Sequence, residues 1–423
     1  MPAALEGLLM VLLSSVDIIM VGTLGTTAIA AVSIFTQPRM MLLCISRSFS
    51  AVLALLTAQY FGMGRKAEVG TLLRQSVFLS VVVFGILHLA FFCSLKMILA
   101  WMGAEPSYME SALDYGEIAL FAVFLTSLTG VLQAVLLGFG QTAAVLFTNL
   151  QGNAVNIIVN ALLIFGLGPF PAMGVKGAAI GTVAGTCYTL IHTFCRLRQD
   201  GVFRRGTVLP DRAYFSAFLP LFGGVFSEQG FERIGMVLYT RMVAELGTLP
   251  YAVHAICMNF CDFYYCFAGG LGKASMVLAG QSHGSGNHRK WQCFRNTGMK
   301  WGFIFSFLSF AVTFLFRDDI FSIYSNDAEA LALGSAIMIL VAAVSFPEAH
   351  AMICAGVLRG SGKTTQVALY SLVSIAVIRP IMTAILLYQF GLGLMGAWIA
   401  LAIDQGMRAS CAYFLLRNTH SYK

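Results

Sequence analysis

Among the carboxylates inside long apolar stretches are Glu6 and Asp17 in 2–23, Glu228 in 213–245 and Glu348 in 328–358. An ionisable side chain at the centre of a membrane-crossing helix costs at least about 2.5–3.5 kcal/mol, so each of the four is a functional candidate. Glu6 and Asp17 are eleven residues apart, about three helical turns, and therefore share one helix face. A carboxylate held away from water needs a counter-charge or a proton. A cationic substrate and Na⁺ or H⁺ can each supply it, so occupancy by one weakens occupancy by the other, which is the chemistry of antiport. The alternative task for such a group is a permanent intramembrane ion pair, with Arg47, Arg233, Arg241 and Arg379 available as partners.

A second constellation is neutral. Asn149, Asn153, Asn156 and Asn160 follow the i, i+4, i+7, i+11 spacing of one helix face. Amide oxygens facing Asp17 would complete an oxygen-rich site of the kind hard cations prefer. The competing reading is interhelical adhesion worth about 0.6 kcal/mol per contact. Tyr239, Phe263, Tyr264, Tyr265 and the 20 methionines suit a cavity that accepts varied aromatic cations, although packing alone also explains any one of them. His350 is two residues from Glu348, roughly 200° around a helix, and is not placed to pair with it. Gly360-Ser-Gly-Lys-Thr-Thr365 resembles the end of a phosphate-cradling loop, but the full pattern needs glycine where Val357 stands. It reads as a helix–helix turn.

The elements that must position these residues are membrane helices. The chain has 423 residues, 58% hydrophobic and only 11% charged, against roughly 25% charged in a soluble domain. Apolar runs of about 20 residues cross a hydrocarbon core of about 30 Å, and with no water there each run must satisfy its own backbone as a helix. Twelve spans are expected, at 2–23, 33–61, 72–102, 111–138, 143–168, 174–196, 213–245, 251–281, 291–317, 328–358, 364–391 and 393–416. Basic residues gather on one side of this layout: Arg65, Lys66 and Arg74; Arg196 to Arg212; Arg289, Lys290 and Arg295; Arg359 and Lys363; Arg417 and Lys423. The other side carries Glu105, Glu110, Asp114, Asp318, Asp319 and Asp327. Basic loops stay in the cytoplasm, so a multi-pass protein of the cell (inner) membrane with both termini inside is expected. The net charge of +7 is thereby a topology signal, and a nucleic-acid partner drops out. Apolar sequence starts at Pro2 with no basic n-region and no small-residue cleavage site, so a cleavable signal peptide is not expected, and a leading segment upstream of Met1 is. The ten cysteines form no CxxC motif or Cys/His cluster and read as small apolar fillers.

The chain repeats itself. Leu24-Gly25-Thr26 recurs as Leu246-Gly247-Thr248, Gln59-x-x-Gly62-x-Gly64 as Gln281-x-x-Gly284-x-Gly286, and Gly138-x-Gly140-x-Thr142 as Gly360-x-Gly362-x-Thr364, all 222 residues apart. Glu105 and Asp327 keep this offset, as do Glu6 and Glu228. Gly177-Ala178 and Gly396-Ala397 are 219 apart, which places a three-residue deletion in one loop. Six spans per copy is an even number, so the copies are parallel repeats. The fold class is therefore an all-α polytopic membrane protein: 12 transmembrane helices in two parallel-repeat six-helix bundles with a central cavity. The expected domains are an N-lobe over 1–198, a linker over 199–212 and a C-lobe over 213–423.

Several motifs, taken in order, resemble one family. They are Pro2-x-x-x-Glu6, Asp17-Ile-Ile-Met-Val-Gly22-Thr-Leu-Gly25, Ala58-Gln59-Tyr-Phe-Gly62, Asn156-x-x-x-Asn160 and Gly174-Val-x-Gly177-Ala-Ala-Ile-Gly-Thr182, followed by Leu219-Pro220, Glu228-Gln229, Gly280-Gln281 and Val357-Leu358-Arg359-Gly360. In that order and spacing the chain resembles the multidrug and toxic compound extrusion (MATE) transporters over nearly its whole length. The resemblance implies export of cationic amphipathic compounds driven by Na⁺ or H⁺ entry, with no other cofactor and a monomer working in membrane lipid. It draws Asn156, Asn160 and Thr182 toward an ion site with Asp17, where Na⁺ would be held by Asp17, Asn156 and Asn160. It also supports Glu348, ten residues before Leu358-Arg359-Gly360, as an ion-coupling residue beside Glu228. Glu6, Asn149, Asn153 and Tyr239 are secondary candidates. A flippase for lipid-linked oligosaccharides, which shares this architecture, would need a more cationic cavity. A polytopic membrane enzyme would need a catalytic cluster at one membrane face, and the seven histidines are scattered.

Overall fold

The computed structural model describes residues 16, 20–21, 23–24, 26–102, 104, 106–202, 207–322 and 328–418. Most of the first expected span, including Glu6 and Asp17, and the Glu105/Asp327 repeat pair lie outside them. Among the described residues the chain is helical throughout, with no strand. In the first half the helices are α1 (Thr26–Ile34), α2 (Thr36–Gly62), α3 (Lys66–Cys93), α4 (Leu95–Trp101), α5 (Pro106–Gly138), α6 (Thr142–Phe165) and α7 (Gly174–Gln199). In the second half they are α8 (Arg212–Ala244), α9 (Thr248–Gly284), α10 (His288–Leu315), α11 (Arg317–Ser322) and α12 (Ala328–Gly360), followed by α13 (Thr364–Ser371), α14 (Arg379–Ala384) and α15 (Gly393–Asn418). Between α13 and α14, and again after α14, the chain widens into π-helical stretches at Leu372–Ile378 and Ile385–Gln389, so 364–389 forms one rod. Eight rods among the described residues are long and apolar enough to cross a membrane. Three more of span length, α8, α9 and α15, are more polar because each carries at least two ionisable residues in its interior.

The helix ends keep the register of the repeat. α3, α5 and α6 start 222 residues before α10, α12 and α13, and α7 starts 219 before α15. Two pairs of turns keep it too: Gly64 (φ 76°) with Gly286 (φ 64°), and Gly140 (φ 82°) with Gly362 (φ 81°). These left-handed positions are open to glycine at no steric cost, which is why the turn motifs are the most legible part of the duplication.

One break is specific to the first half. α9 runs unbroken over 37 residues, but its counterpart is split at Phe35 into α1 and α2. Pro38 is the cause: its ring collides with the carbonyl four residues back, that of Ile34, where α1 ends. In α9 the matching position is Phe260. The expected span 72–102 likewise resolves into two helices that part at Ser94.

Contacts divide the described chain into two units that meet between Leu219 and Pro220, inside α8, beyond the linker expected at 199–212. The first turns of α8 belong to the first unit because their aromatics pack there. Tyr214 bonds Ser76 at 3.0 Å, and the ring of Phe218 lies 4.6 Å from that of Phe49. Close helix contact, more than water exclusion, holds membrane helices together. In the first unit Gly177, Gly181 and Gly185 of α7 press on α6, where a methyl group at 181 would sit 1.9 Å from Asn160 Oδ1. In the second unit Gly356 lies against Gly272, with 2.2 Å left between an added Cβ and the Gly272 oxygen.

Candidate functional site: buried polar networks in each unit

The glycine contact between α6 and α7 brings three expected site residues together. Asn156 and Asn160 are buried, 6% and 1% exposed. Asn156 Nδ2 donates to Thr182 Oγ1 at 3.4 Å and Asn160 Nδ2 to Asn156 Oδ1 at 3.4 Å, while Thr182 turns its own proton to the Ala178 carbonyl at 3.0 Å. Both amide contacts are at the long end of the range, so the three side chains form a loose chain of oxygens. The asparagine stripe does not act as one row. Asn149 Oδ1 accepts from Gln133 at 2.7 Å, and Asn153 donates to the backbone of its own helix at 2.8 Å.

The second unit is built on charge. Glu228 of α8 is 4% exposed and paired with Arg359, whose Nε donates at 3.0 Å and whose Nη2 also reaches the carboxylate. The partner lies in the last turn of α12, 131 positions away, and is not one of the four arginines named from the sequence. Of those four, Arg379 is paired, but with Asp404 of α15: Nε to Oδ2 is 2.9 Å, Nη2 reaches the same oxygen, and Ser374 donates to Oδ1. Both ends of this pair are buried, at 5% and 0% exposure. Arg233 and Arg241 face outward.

Glu348 differs from every other buried acid in the unit. It is 6% exposed, yet it makes no hydrogen bond or ion pair to any described residue. Its charged neighbours are Arg408, Arg379, Glu232 and Asp262. Pro347 precedes it and has no N–H to give the Ala343 carbonyl one turn back in α12. Glu232, one turn after Glu228, accepts from Tyr265 Oη at 3.0 Å. Tyr264 is also engaged, donating to the Val341 carbonyl at 3.0 Å. Tyr239, expected to line a cavity, is fully buried, and the Arg379 guanidinium lies 5.8 Å over its ring. An internal cation thus occupies the face on which a drug cation would stack. The side chain of Phe263 lies outside the described residues.

Glu232, Asp404 and Arg408 were not anticipated. The signal was available as two i, i+4 pairs inside expected spans, Glu228-x-x-x-Glu232 and Asp404-x-x-x-Arg408. The charges are private to this half: Glu348, Arg359 and Arg379 stand where the first unit has Thr126, Leu137 and Ile157.

A duplicated bundle of membrane helices with carboxylates enclosed at mid-helix is an architecture of polytopic membrane transporters. The chain belongs to the MatE family, whose signature matches it twice, over residues 2–162 and 225–385. It is 25% identical over 410 residues to the probable multidrug resistance protein NorM of Thermotoga maritima, covering 96% of this chain and 88% of that one. With the multidrug resistance protein MdtK of Yersinia pseudotuberculosis it shares 24% identity over 371 residues, 86% of this chain and 81% of the other. Among solved structures it superposes on a MATE protein in its bent conformation with a TM-score of 0.91 at 19% identity, covering 100% and 94% of the two chains. A Pyrococcus furiosus transporter of the MOP superfamily, described as having a binding pocket of reversed polarity, gives 0.88 at 19% identity, with coverage of 99% and 94%.

Proposed function

We propose that this chain is a multidrug efflux antiporter of the cell membrane, exporting cationic amphipathic compounds in exchange for Na⁺ or H⁺. The observation that carries this reading is Glu348, a carboxylate enclosed at mid-helix without a contact partner among the described residues. Every neighbouring buried acid is already engaged by an arginine or a tyrosine, so Glu348 is the group left for a mobile cation. The names of NorM and MdtK support drug export. The architecture is shared with a protein of reversed pocket polarity, so fold leaves the sign of the substrate open, and the acidic excess here favours a cation. In the first unit Asn156, Asn160 and Thr182 would add oxygen donors to Asp17 for Na⁺. The protein would work as a monomer in lipid, with both termini in the cytoplasm and no cofactor beyond the coupling ion.

Ethidium efflux from vesicles with separately imposed Na⁺ and pH gradients tests this. Uphill export should respond to at least one gradient and should be lost in Glu348→Gln protein that still reaches the membrane. Export indifferent to both gradients, or full uphill export by Glu348→Gln, would overturn the proposal.

A further inference from the structure

Three guanidiniums are buried or half-buried in the second unit, and two of them touch a carboxylate: Arg359 is paired with Glu228 and Arg379 with Asp404. The third, Arg408, is 7% exposed, and its Nε has no hydrogen-bond partner among the described residues. No carboxylate oxygen of a described residue lies within ion-pair distance of it. Glu232, Asp404 and Glu348 nonetheless lie within Coulombic reach of Arg408. Asp404 is already saturated by Arg379 and Ser374. That leaves two carboxylates, Glu232 and Glu348, around one guanidinium that contacts neither.

Counting charge over the whole network gives four acids (Glu228, Glu232, Glu348, Asp404) against three arginines (Arg359, Arg379, Arg408). Asp262 and Lys273, both on the exposed side of α9, offset one another. The enclosed network is therefore short of one positive charge. An arginine keeps its proton in any protein environment, so the Arg408 charge is present at every working pH, as that of a lysine at the same place would not be.

We propose that Arg408 is a tethered counter-ion of the coupling site, a positioning residue that cancels one of the two free carboxylate charges. The site then takes one monovalent cation and not two, and Glu348 holds that cation loosely enough to release it. This rests on the reading that Glu348 receives the coupling ion. Removing Arg408 would leave two uncompensated carboxylates in a low-dielectric interior, where an added unit of charge changes cation affinity on the order of tenfold or more.

The test compares purified wild-type, Glu348→Gln, Arg408→Gln, Glu232→Gln and Arg408→Gln/Glu232→Gln proteins in liposomes, with Na⁺ and H⁺ titrated separately as drivers of ethidium export. Arg408→Gln should lower the half-saturating cation concentration about tenfold or more and raise the Hill slope. Adding Glu232→Gln restores the charge count and should return both values toward wild type, an effect a merely structural role for Arg408 would not produce. Glu232→Gln alone should weaken cation binding about tenfold, which keeps the idea testable where Arg408→Gln fails to fold. Unchanged affinity and slope in Arg408→Gln, or in Glu232→Gln, would overturn the assignment. If Glu348→Gln still couples, the underlying site is wrong. If Glu348→Gln uncouples and Arg408→Gln changes nothing, only the counter-ion role falls.

Discussion

Asp404→Asn isolates the energetics of the charged network from its transport role. Asp404 has no solvent exposure and holds Arg379 through two guanidinium nitrogens, with Nε at 2.9 Å, while Ser374 covers its other oxygen. Asparagine keeps the shape and an acceptor for Ser374 but leaves Arg379, itself 5% exposed, without a counter-charge. Removing one partner of a buried pair costs about 3–5 kcal/mol. The ring of Tyr239, 5.8 Å from the guanidinium, is present before and after the change and cannot make up the difference, since a desolvated cation–π contact is worth only about 2 kcal/mol. For a unit of this size the loss corresponds to a fall in melting temperature of roughly 6–20 °C. Size-exclusion chromatography of detergent-solubilised protein after a temperature series reads that shift directly. The companion variant Arg379→Met/Asp404→Leu removes both charges and should recover most of the loss, because apolar replacement of a buried pair is neutral or stabilising by about 1–4 kcal/mol. An Asp404→Asn protein melting within about 2 °C of wild type, or a double variant as unstable as the single one, would refute the claim that the two groups depend on each other.

Gly181→Ala puts a methyl group 1.9 Å from Asn160 Oδ1, so Asn160 must move or the helices must part; a cost of about 1–3 kcal/mol is expected in the same melting assay. Asn156→Ala removes two long contacts, one to Thr182 and one from Asn160, each at 3.4 Å, so stability should fall by about 1 kcal/mol while the Na⁺ needed for ethidium export rises severalfold. A Na⁺ requirement unmoved by Asn156→Ala would remove the first unit from the cation path.

Local chemistry was legible in the sequence and long-range pairing was not. The turn glycines at 64, 140, 286 and 362 announced the helix ends because each occupies a backbone conformation that other residues avoid. The split at Phe35 was written in Pro38, four residues after the last residue of α1, but a hydropathy run has no term for a steric clash, so 33–61 read as one span. Buried acids stood out because each is costly in lipid. Which arginine answers which acid was hidden, since Glu228 and Arg359 meet across 131 residues and only the packing of α8 and α12 brings them together. Arg359 looked like a loop charge because it sits at a helix end, and its long side chain reaches back into the bundle. Asp404 and Arg408, at i, i+4 inside one expected span, are charges as legible as Glu348.

One divergence between the two units is a helix–helix contact solved in two ways. In the first unit Gly152 of α6 meets Gly185 and Thr189 of α7 so closely that a Cβ at 152 would lie 1.9 Å from Thr189 Oγ1, and one at 185 would lie 2.6 Å from the Gly152 oxygen. In the repeat frame these three positions become Ser374, Asp404 and Arg408. Backbones that touch through glycine cannot also hold a serine, an aspartate and an arginine between them, so the second unit must open the contact. It does so where Ser374 stands, in the π-helical stretch Leu372–Ile378, whose wider turn carries the serine hydroxyl onto Asp404. The positions that match Asn156 and Asn160 are Ile378 and Met382, which carry no amide. One frame thus yields a neutral oxygen chain where the helices are tight and an arginine–aspartate network where they are loosened. The two chemistries exclude each other at this contact, because amide pairing across it needs the glycines and the guanidiniums need the room that glycine gives up.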